Sequence, residues 1–355
     1  MHVRLLASAC GLALGTLVAC GDATQTTSEA GDPSGPASTG STTTGLVVPP
    51  TSTTTTTTTG ASVTGTSEGV EKYDLPDDED LPGCGAVDVL FVVDNSKSMA
   101  QYQSALAEAF PQFVDAMIAN LPKSVDLHVG ITTTDFYCTG AGQACCPDNC
   151  PVGNTQCQIG TTPEEVEAID AYYLPPTSGN NGANGSQGRL FVHEGMAYFA
   201  TNTDDDPAPL KAWFTGAATA AGEQGSSLEM PVAAAAYAAG PANAGANEGF
   251  LRDKDAVLLV FFLTNDPDAS VEVLSTYTAM VRDAKADCGG DPCILTAGLI
   301  KKCVPAENQK LWQFMKAFGE EPIWGDIEDK AGYVEIVGEA LAATLGDACV
   351  HIPVG

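Results

Sequence analysis

An α/β fold, with a doubly wound and mostly parallel central sheet and helices on both of its faces, is the class the sequence predicts. Three observations carry it. From about residue 83 onward, apolar β-branched runs alternate with stretches whose apolar residues recur at helical spacing, the pattern of parallel strands buried between helices. Two of the runs, "AVDVLFVVD" at 86–94 and "DAVLLVFFLTND" at 255–266, are almost continuously apolar, as strands covered on both faces are. Both then end in small oxygen-bearing side chains, at the carboxyl end of the strand, where open α/β sheets place their ligands.

Before that domain the chain reads as processing and tether. Arg4 gives a positive start, "LLASACGLALGTLVA" an apolar stretch too short to span a membrane, and "LVAC" closes it, so residues 1–19 are expected to be a signal peptide. Leu17, Val18, Ala19 and Cys20 resemble the lipobox of bacterial lipoproteins. That resemblance implies a mature chain beginning at lipidated Cys20, anchored in the bacterial cell envelope at the outer membrane or cell surface. Residues 20–82 are rich in Thr, Ser, Gly and Pro and nearly free of large apolar side chains. They cannot bury enough surface to offset their ordering entropy, and a disordered tether is expected. The acids at Asp77, Asp78, Glu79 and Asp80 between prolines read as a solvated hinge rather than a calcium site.

Within 83–355 the elements follow in order. After the first strand, "ALAEAFPQFVDAMIANL" has helical spacing and "VDLHVGITTTD" is the second strand. An edge strand is expected next, then a helix beginning near "SLEMPVAAAAYAA", and then the buried strand "DAVLLVFFLTND". "ASVEVLSTYTAMVRDAKAD" follows as a helix, "CILTAGLI" as a strand, "ENQKLWQFMKAFG" as a helix, "EPIWGDI" as a short strand and "AGYVEIVGEALAATLG" as the last helix. Residues 136–190 are excess to this pattern: a cysteine-rich insertion with one helical stretch, "PEEVEAIDAYY", and a length that in a compact domain marks function or disorder.

Of the twelve cysteines, Cys10 leaves with the signal and Cys20 takes lipid, which leaves ten: Cys84, Cys138, Cys145, Cys146, Cys150, Cys157, Cys288, Cys293, Cys303 and Cys349. An even set in an exported chain predicts disulfides, with Cys84 and Cys349 expected to clasp the ends of the domain. Zinc is disfavoured, because "CCPDNCPVGNTQC" brings neither a C-x-x-C pair nor a histidine. The 45 acidic residues against 15 basic give a charge of −30, which excludes nucleic acid and an anionic lipid surface as electrostatic partners.

The chemistry concentrates in "VVDNSKSM". Asp94, Ser96 and Ser98 alternate at the carboxyl end of a buried strand, so one carboxylate and two hydroxyls can converge on a hard cation that wants oxygen ligands. The plainer reading is that these residues cap the following helix. A second carboxylate is offered from the other buried strand, where "LTNDPD" holds Asn265, Asp266 and Asp268.

"VDVLFVVDNSKSM", followed in order by a helix, "LHVGITTTD", an edge strand, a Ser/Thr loop and a strand ending in "LTND", resembles the von Willebrand factor type A (vWA) domain and its metal-ion-dependent adhesion site. The resemblance spans residues 86–345 around the insertion. It implies that Asp94, Ser96 and Ser98 form the first metal-binding segment, for magnesium or alternatively manganese or calcium. The family's second segment offers a threonine; here Ser226 or Ser227 stands in that place, with Glu229 close by. Its third segment is commonly Thr-Asp, and here Asn265 takes the aspartate's place with Asp266 one residue later. The function implied is recognition: a protein ligand completes the cation's shell with an acidic side chain, and the membrane is reached through the lipid alone.

Enzyme chemistry finds no support in the residues. A serine nucleophile needs an oriented base, and His128 lies within a strand. "HEGMA" at His193 lacks the second histidine of a zinc protease, and no G-x-S-x-G elbow or phosphate loop occurs in the folded region. The alternatives to a binding module are a structural surface protein with a degenerate metal site and, behind it, a hydrolase.

Overall fold

The computed structural model describes residues 85–121, 123–136, 184–222, 225, 228–336 and 338. Six strands, β1 Ala86–Val93, β2 Asp126–Thr133, β3 Tyr198–Asn202, β4 Ala256–Thr264, β5 Ile294–Ile300 and β6 Ile323–Asp326, form one sheet in the order β3-β2-β1-β4-β5-β6. All neighbours are parallel except β3, which runs antiparallel to β2 at the edge. This is the doubly wound order, with the chain reversing direction across the sheet between β1 and β4.

Side-chain alternation along the two central strands sorts the core into two layers. Val87, Val89, Phe91 and Val93 of β1, with Leu259 and Phe261 of β4, face helices α1 Ala100–Asn120 and α2 Ala208–Ala220. Leu90 and Val92, with Leu258, Val260 and Phe262, face α3 Pro231–Ala239, α4 Leu274–Ala284 and α5 Lys310–Lys316. Every residue of β1 and of β4 is buried, which is why both read as unbroken apolar runs.

The helices depart from the sequence reading in instructive ways. α1 starts at Ala100, earlier than its apolar spacing suggested, because residues 97–99 wind as a tight helical turn straight into it. It also runs through Pro111, whose missing N–H leaves the Ala107 carbonyl without its helical donor. Tyr102, Leu106, Phe110, Phe113 and Met117, buried on one face, hold the helix across that break. α3 has no capping side chain of its own, Met230 being its N-cap residue. Its first amides are met from another segment: Val232 N–H donates to Asp268 Oδ1 (3.0 Å) and Ala233 N–H to Ser270 Oγ (3.0 Å). The residues after β4 thus fix the start of α3, and the small Ala233–Ala236 run lets all of the helix but its last residue lie buried.

The end of the insertion returns along β2, where Gly185 O accepts hydrogen bonds from Thr133 N–H (2.8 Å) and from the hydroxyls of Thr132 and Thr133. "HEGM" forms a tight hairpin, with His193 bridged to Met196 and positive φ at Glu194 and Gly195. Cys288 and Cys293 form a disulfide, and Cys303 is disulfide-bonded as well. Cys84, Cys138, Cys145, Cys146, Cys150, Cys157 and Cys349 lie outside the described residues, as do Cys20, the signal, the tether and the "PEEVEAIDAYY" stretch.

Candidate metal centre

Parallel pairing of β1 with β4, Val93 opposite Leu263, brings "DNSKS" and "TND" side by side at one edge of the sheet. Asp94 N–H donates to Leu263 O (2.8 Å), so the two loops leave the sheet together. The Asp94 side chain is wholly buried. Its Oδ1 accepts Ser96 N–H (2.9 Å), and its Oδ2 accepts the Thr264 hydroxyl (2.7 Å). Thr264 is the threonine of "LTND", the stretch that the sequence reading set against the Thr-Asp of the third segment without giving the threonine a role.

The helix-cap reading fails on geometry. Ser96 and Met99, the residues at the N-cap positions of the short turn and of α1, make no side-chain capping bond. The serines face β4 instead. Ser96 Oγ lies 2.7 Å from Ser98 Oγ, and Ser98 Oγ lies 2.8 Å from Asp266 Oδ2 and 3.1 Å from Asn265 Oδ1. Ser96 Oγ is 3.5 Å from the same Asp266 oxygen. Two hydroxyl protons cannot serve all of these approaches, so some oxygens face each other with no proton between them. Oxygens placed side by side on an octahedral magnesium ion stand about 3.0 Å apart, and the donor set of carboxylate, hydroxyl and amide oxygens is the one such a cation takes. The residues therefore fit a hard divalent cation.

Both Asn265 and Asp266 reach Ser98, and only Asp266 brings charge. Asp268, also offered by the sequence, does not join them: it serves the start of α3 and the Ser270 hydroxyl. Ser226 and Ser227 lie outside the described residues. Their neighbour Gly225 donates its N–H to Asn95 O (2.8 Å), tying that loop to the first segment. A Cβ at position 225 would meet Asn95 Oδ1 at 2.3 Å, so a larger residue there would have to displace the Asn95 side chain. Beyond it, Glu229 is fully buried, and its Oε2 accepts the hydroxyl of Thr134 at the end of β2.

The electrostatics of this edge are one-sided. Burial pushes the Asp94 carboxyl up to about 6, and the nearby negative charge of Asp266 adds to the shift. Glu229 is pushed well above the ordinary carboxylate range by burial first and by the charge of Asp94 second. Among the described residues no Lys or Arg hydrogen-bonds or ion-pairs with Asp94, Glu229 or Asp266, and Lys97 and Ser98 are exposed at the rim. No cluster of three or more His, Cys, Asp or Glu side chains able to hold a metal occurs among the described residues. A cation here would have to rely on the serine hydroxyls as well as on carboxylates.

No family model matches the sequence, and no curated protein matches it. Solved structures similar to the chain include a von Willebrand factor type A protein from Catenulispora acidiphila, at 15% identity and TM-score 0.36 over 74% of this chain and 43% of that one. Others are proximal thread matrix protein 1 from the mussel byssus, at 12% identity and TM-score 0.36 over 73% of this chain and 47% of that one, and the pilus adhesin SpaC from Lactobacillus rhamnosus GG in its open conformation, at 11% identity and TM-score 0.36 over 74% and 30%. The matches thus span less than half the length of each of these structures.

Proposed function

We propose that this chain is an envelope-anchored recognition protein whose α/β domain captures a protein ligand through a divalent cation. One observation carries the reading: Ser96, Ser98, Asn265 and Asp266 crowd their oxygens together at the carboxyl edge of the sheet, with Asp94 buried behind them and, among the described residues, no basic partner for the carboxylates. Magnesium, or manganese or calcium, would be held by the two serine hydroxyls and the Asp94 and Asp266 carboxylates, with a residue of the 226–229 loop. Bound there, it would supply a positive charge able to accept an acidic side chain from a partner. Ser98 is exposed, so that position is open to a large ligand. The excess of acidic residues supports the same view, since a direct acid-to-acid approach is repulsive without a cation between.

Capture of a partner from a cell-surface extract is expected to require Mg2+ and to be lost on adding EDTA and with Asp94→Ala. Capture that survives both would leave a structural surface protein with a degenerate site. Tethering is tested separately. Cys20→Ala is expected to shift the protein from the membrane fraction to the soluble one; an unchanged distribution would overturn lipid anchoring at Cys20. Among the described residues no helix is long and apolar enough to cross a membrane.

A further inference from the structure

We infer that Cys303 forms its disulfide with a cysteine of the 136–190 insertion, so that the insertion is covalently fastened to the turn after β5. The inference stands apart from the cation reading and requires only an oxidising compartment.

Cysteine parity is the first argument. Of the ten cysteines expected in the folded domain, Cys288 and Cys293 bond each other, which leaves Cys84, Cys303, Cys349 and the five of the insertion: Cys138, Cys145, Cys146, Cys150 and Cys157. An odd set cannot be paired within itself. With every cysteine oxidised, at least one of the five bonds outside the insertion. Cys303 is disulfide-bonded, and outside the insertion the domain offers it Cys84 or Cys349.

Strand register excludes Cys84. Gly85 O accepts Asp126 N–H (3.0 Å), so the ladder between β1 and β2 reaches back to the residue beside Cys84. Ile300 pairs with Thr264, one step past the Val93–Leu263 pair, and so stands level with residue 94. From the level of 85 to that of 94 the sheet rises about 30 Å. With one residue of chain spent at Cys84 and three at Cys303, about 15 Å remains, against the roughly 7 Å that bridged Cα atoms span at most. Cys303 itself stays at the carboxyl edge, because Val304 N–H donates to Lys301 O (2.8 Å) and closes a turn around it.

Layer and direction disfavour Cys349. Tyr333, Val334 and Ile336 pack in the layer of α1 and α2, whereas Cys303 packs in the layer of α3, α4 and α5. Gly338 lies against Ala116, in the last third of α1. Since α1 leads from the end of β1 back to the start of β2, that contact is toward the amino end of the sheet, where Gly85 lies. A path from Gly338 to Cys303 would have to double back and round the sheet.

The insertion departs from the right place. Thr134 N–H donates to Val93 O (3.2 Å), so the chain has turned from β2 toward β1 before Phe136. Phe136 is buried in the layer that holds Cys303, its ring centroid 5.7 Å from that of Tyr237, which in turn lies 6.2 Å from that of Tyr277. β2 and β5 are three strand spacings apart, about 14 Å. The two residues of chain from Phe136 to Cys138 and one bridge cover about 13 Å from a point already turned toward β1, and the later cysteines reach farther. The bridge thus joins the two flanks of the carboxyl edge between which β1 and β4 present "DNSKS" and "TND". Its formation joins two sulfurs as two thiols give up two protons and two electrons. A protein disulfide of the exporting compartment takes the electrons by thiol–disulfide exchange and is left as two thiols.

The test maps the purified, unreduced full chain. Free thiols are capped with N-ethylmaleimide in denaturant, the chain is digested with pepsin at low pH so that bridges cannot exchange, and linked peptides are identified by mass spectrometry before and after reduction. A peptide carrying Cys303 is expected in covalent linkage with one carrying an insertion cysteine. Linkage of Cys303 to Cys84, Cys349 or Cys20, or a capped Cys303, would overturn the inference. Cys303→Ser gives a second reading, in which one new capped thiol is expected on an insertion peptide; its appearance at Cys84 or Cys349 instead would count against the bridge. Should that variant fail to fold, the map of the unaltered chain still decides.

Discussion

Asp94→Ala is expected to lower Mg2+ and Mn2+ affinity by at least about 100-fold, measured by calorimetric titration, while leaving the fold intact. Loss of groups that merely orient metal ligands already weakens binding by about 10–100-fold, and Asp94 brings the charge of the first segment besides orienting it through Ser96 N–H. Ser96→Ala and Ser98→Ala are expected to lose less, since a hydroxyl contributes a dipole where the aspartate contributes a charge. Asp266→Ala is expected to exceed Asn265→Ala for the same reason. Stability gives a second readout. Asp94 is buried beside another acid, and its carboxyl is raised to about 6. Removing that charge relieves repulsion and desolvation, which offsets the hydrogen bonds lost to Ser96 and Thr264. In EDTA the variant should therefore unfold near the unaltered temperature. Saturating Mn2+ at about 100 times Kd should stabilise the unaltered chain by about 2.7 kcal/mol and the variant hardly at all. Equal Mn2+ affinity in the two would remove the metal centre from the account.

The second large effect lies at the opposite end of the same strand. Asp88→Ala is expected to destabilise the domain by about 3–5 kcal/mol, read as a lower denaturant midpoint, because it strips the partner from half-buried Arg252 and takes a negative charge away from fully buried Lys285. Arg252 donates its backbone N–H to Asp88 Oδ2 (2.8 Å) and its guanidinium to Oδ1, with Nη2 2.6 Å away, and also reaches Val87 O and Asp126 O. Lys285, fully buried, donates to Arg252 O; burial lowers its pKa, and the Asp88 charge works against that shift. His128 Nδ1 donates to Phe250 O (2.8 Å), with Asp88 3.7 Å away. Without the carboxylate, Arg252 and Lys285 repel each other in a dry setting. A midpoint shift equivalent to less than about 1 kcal/mol would show that water or Asp126 replaces the lost partner. Two buried aspartates, one within β1 and one just past its end, are thus expected to behave oppositely: Asp88 holds the fold and contributes nothing to cation binding, whereas Asp94 does the reverse.

How far this was legible depends on the range of each interaction. The strands and most helices were readable because burial on one or both faces writes a local period into the chain. β1 and β4 stood out, since both of their faces are covered. "DNSKS" was readable for the same reason: three donors at alternate positions immediately after a buried strand are a local pattern. Glu229 was seen only as a neighbour of Ser226 and Ser227, since a lone glutamate before an alanine run carries no pattern. Thr134 looked like an ordinary strand residue, and Thr264 stood out only as the threonine of "LTND". The start of α3 could not have been placed from its own sequence, because its capping groups, Asp268 and Ser270, come from beyond β4.

By itself the sequence determined the class of fold, and it singled out the carboxyl end of the central strands and "DNSKS" as the place to look for a site. The tertiary structure alone decided that Asn265 and Asp266 both reach Ser98, that the Thr264 and Thr134 hydroxyls hydrogen-bond Asp94 and Glu229, and that Asp88 pairs with Arg252 toward the far end of β1. The physical reason is common to all three. Periodicity records how much of each side chain is buried, but hydrogen bonds and ion pairs between residues far apart in the chain depend on strand register and loop path, which exist only once the sheet has assembled.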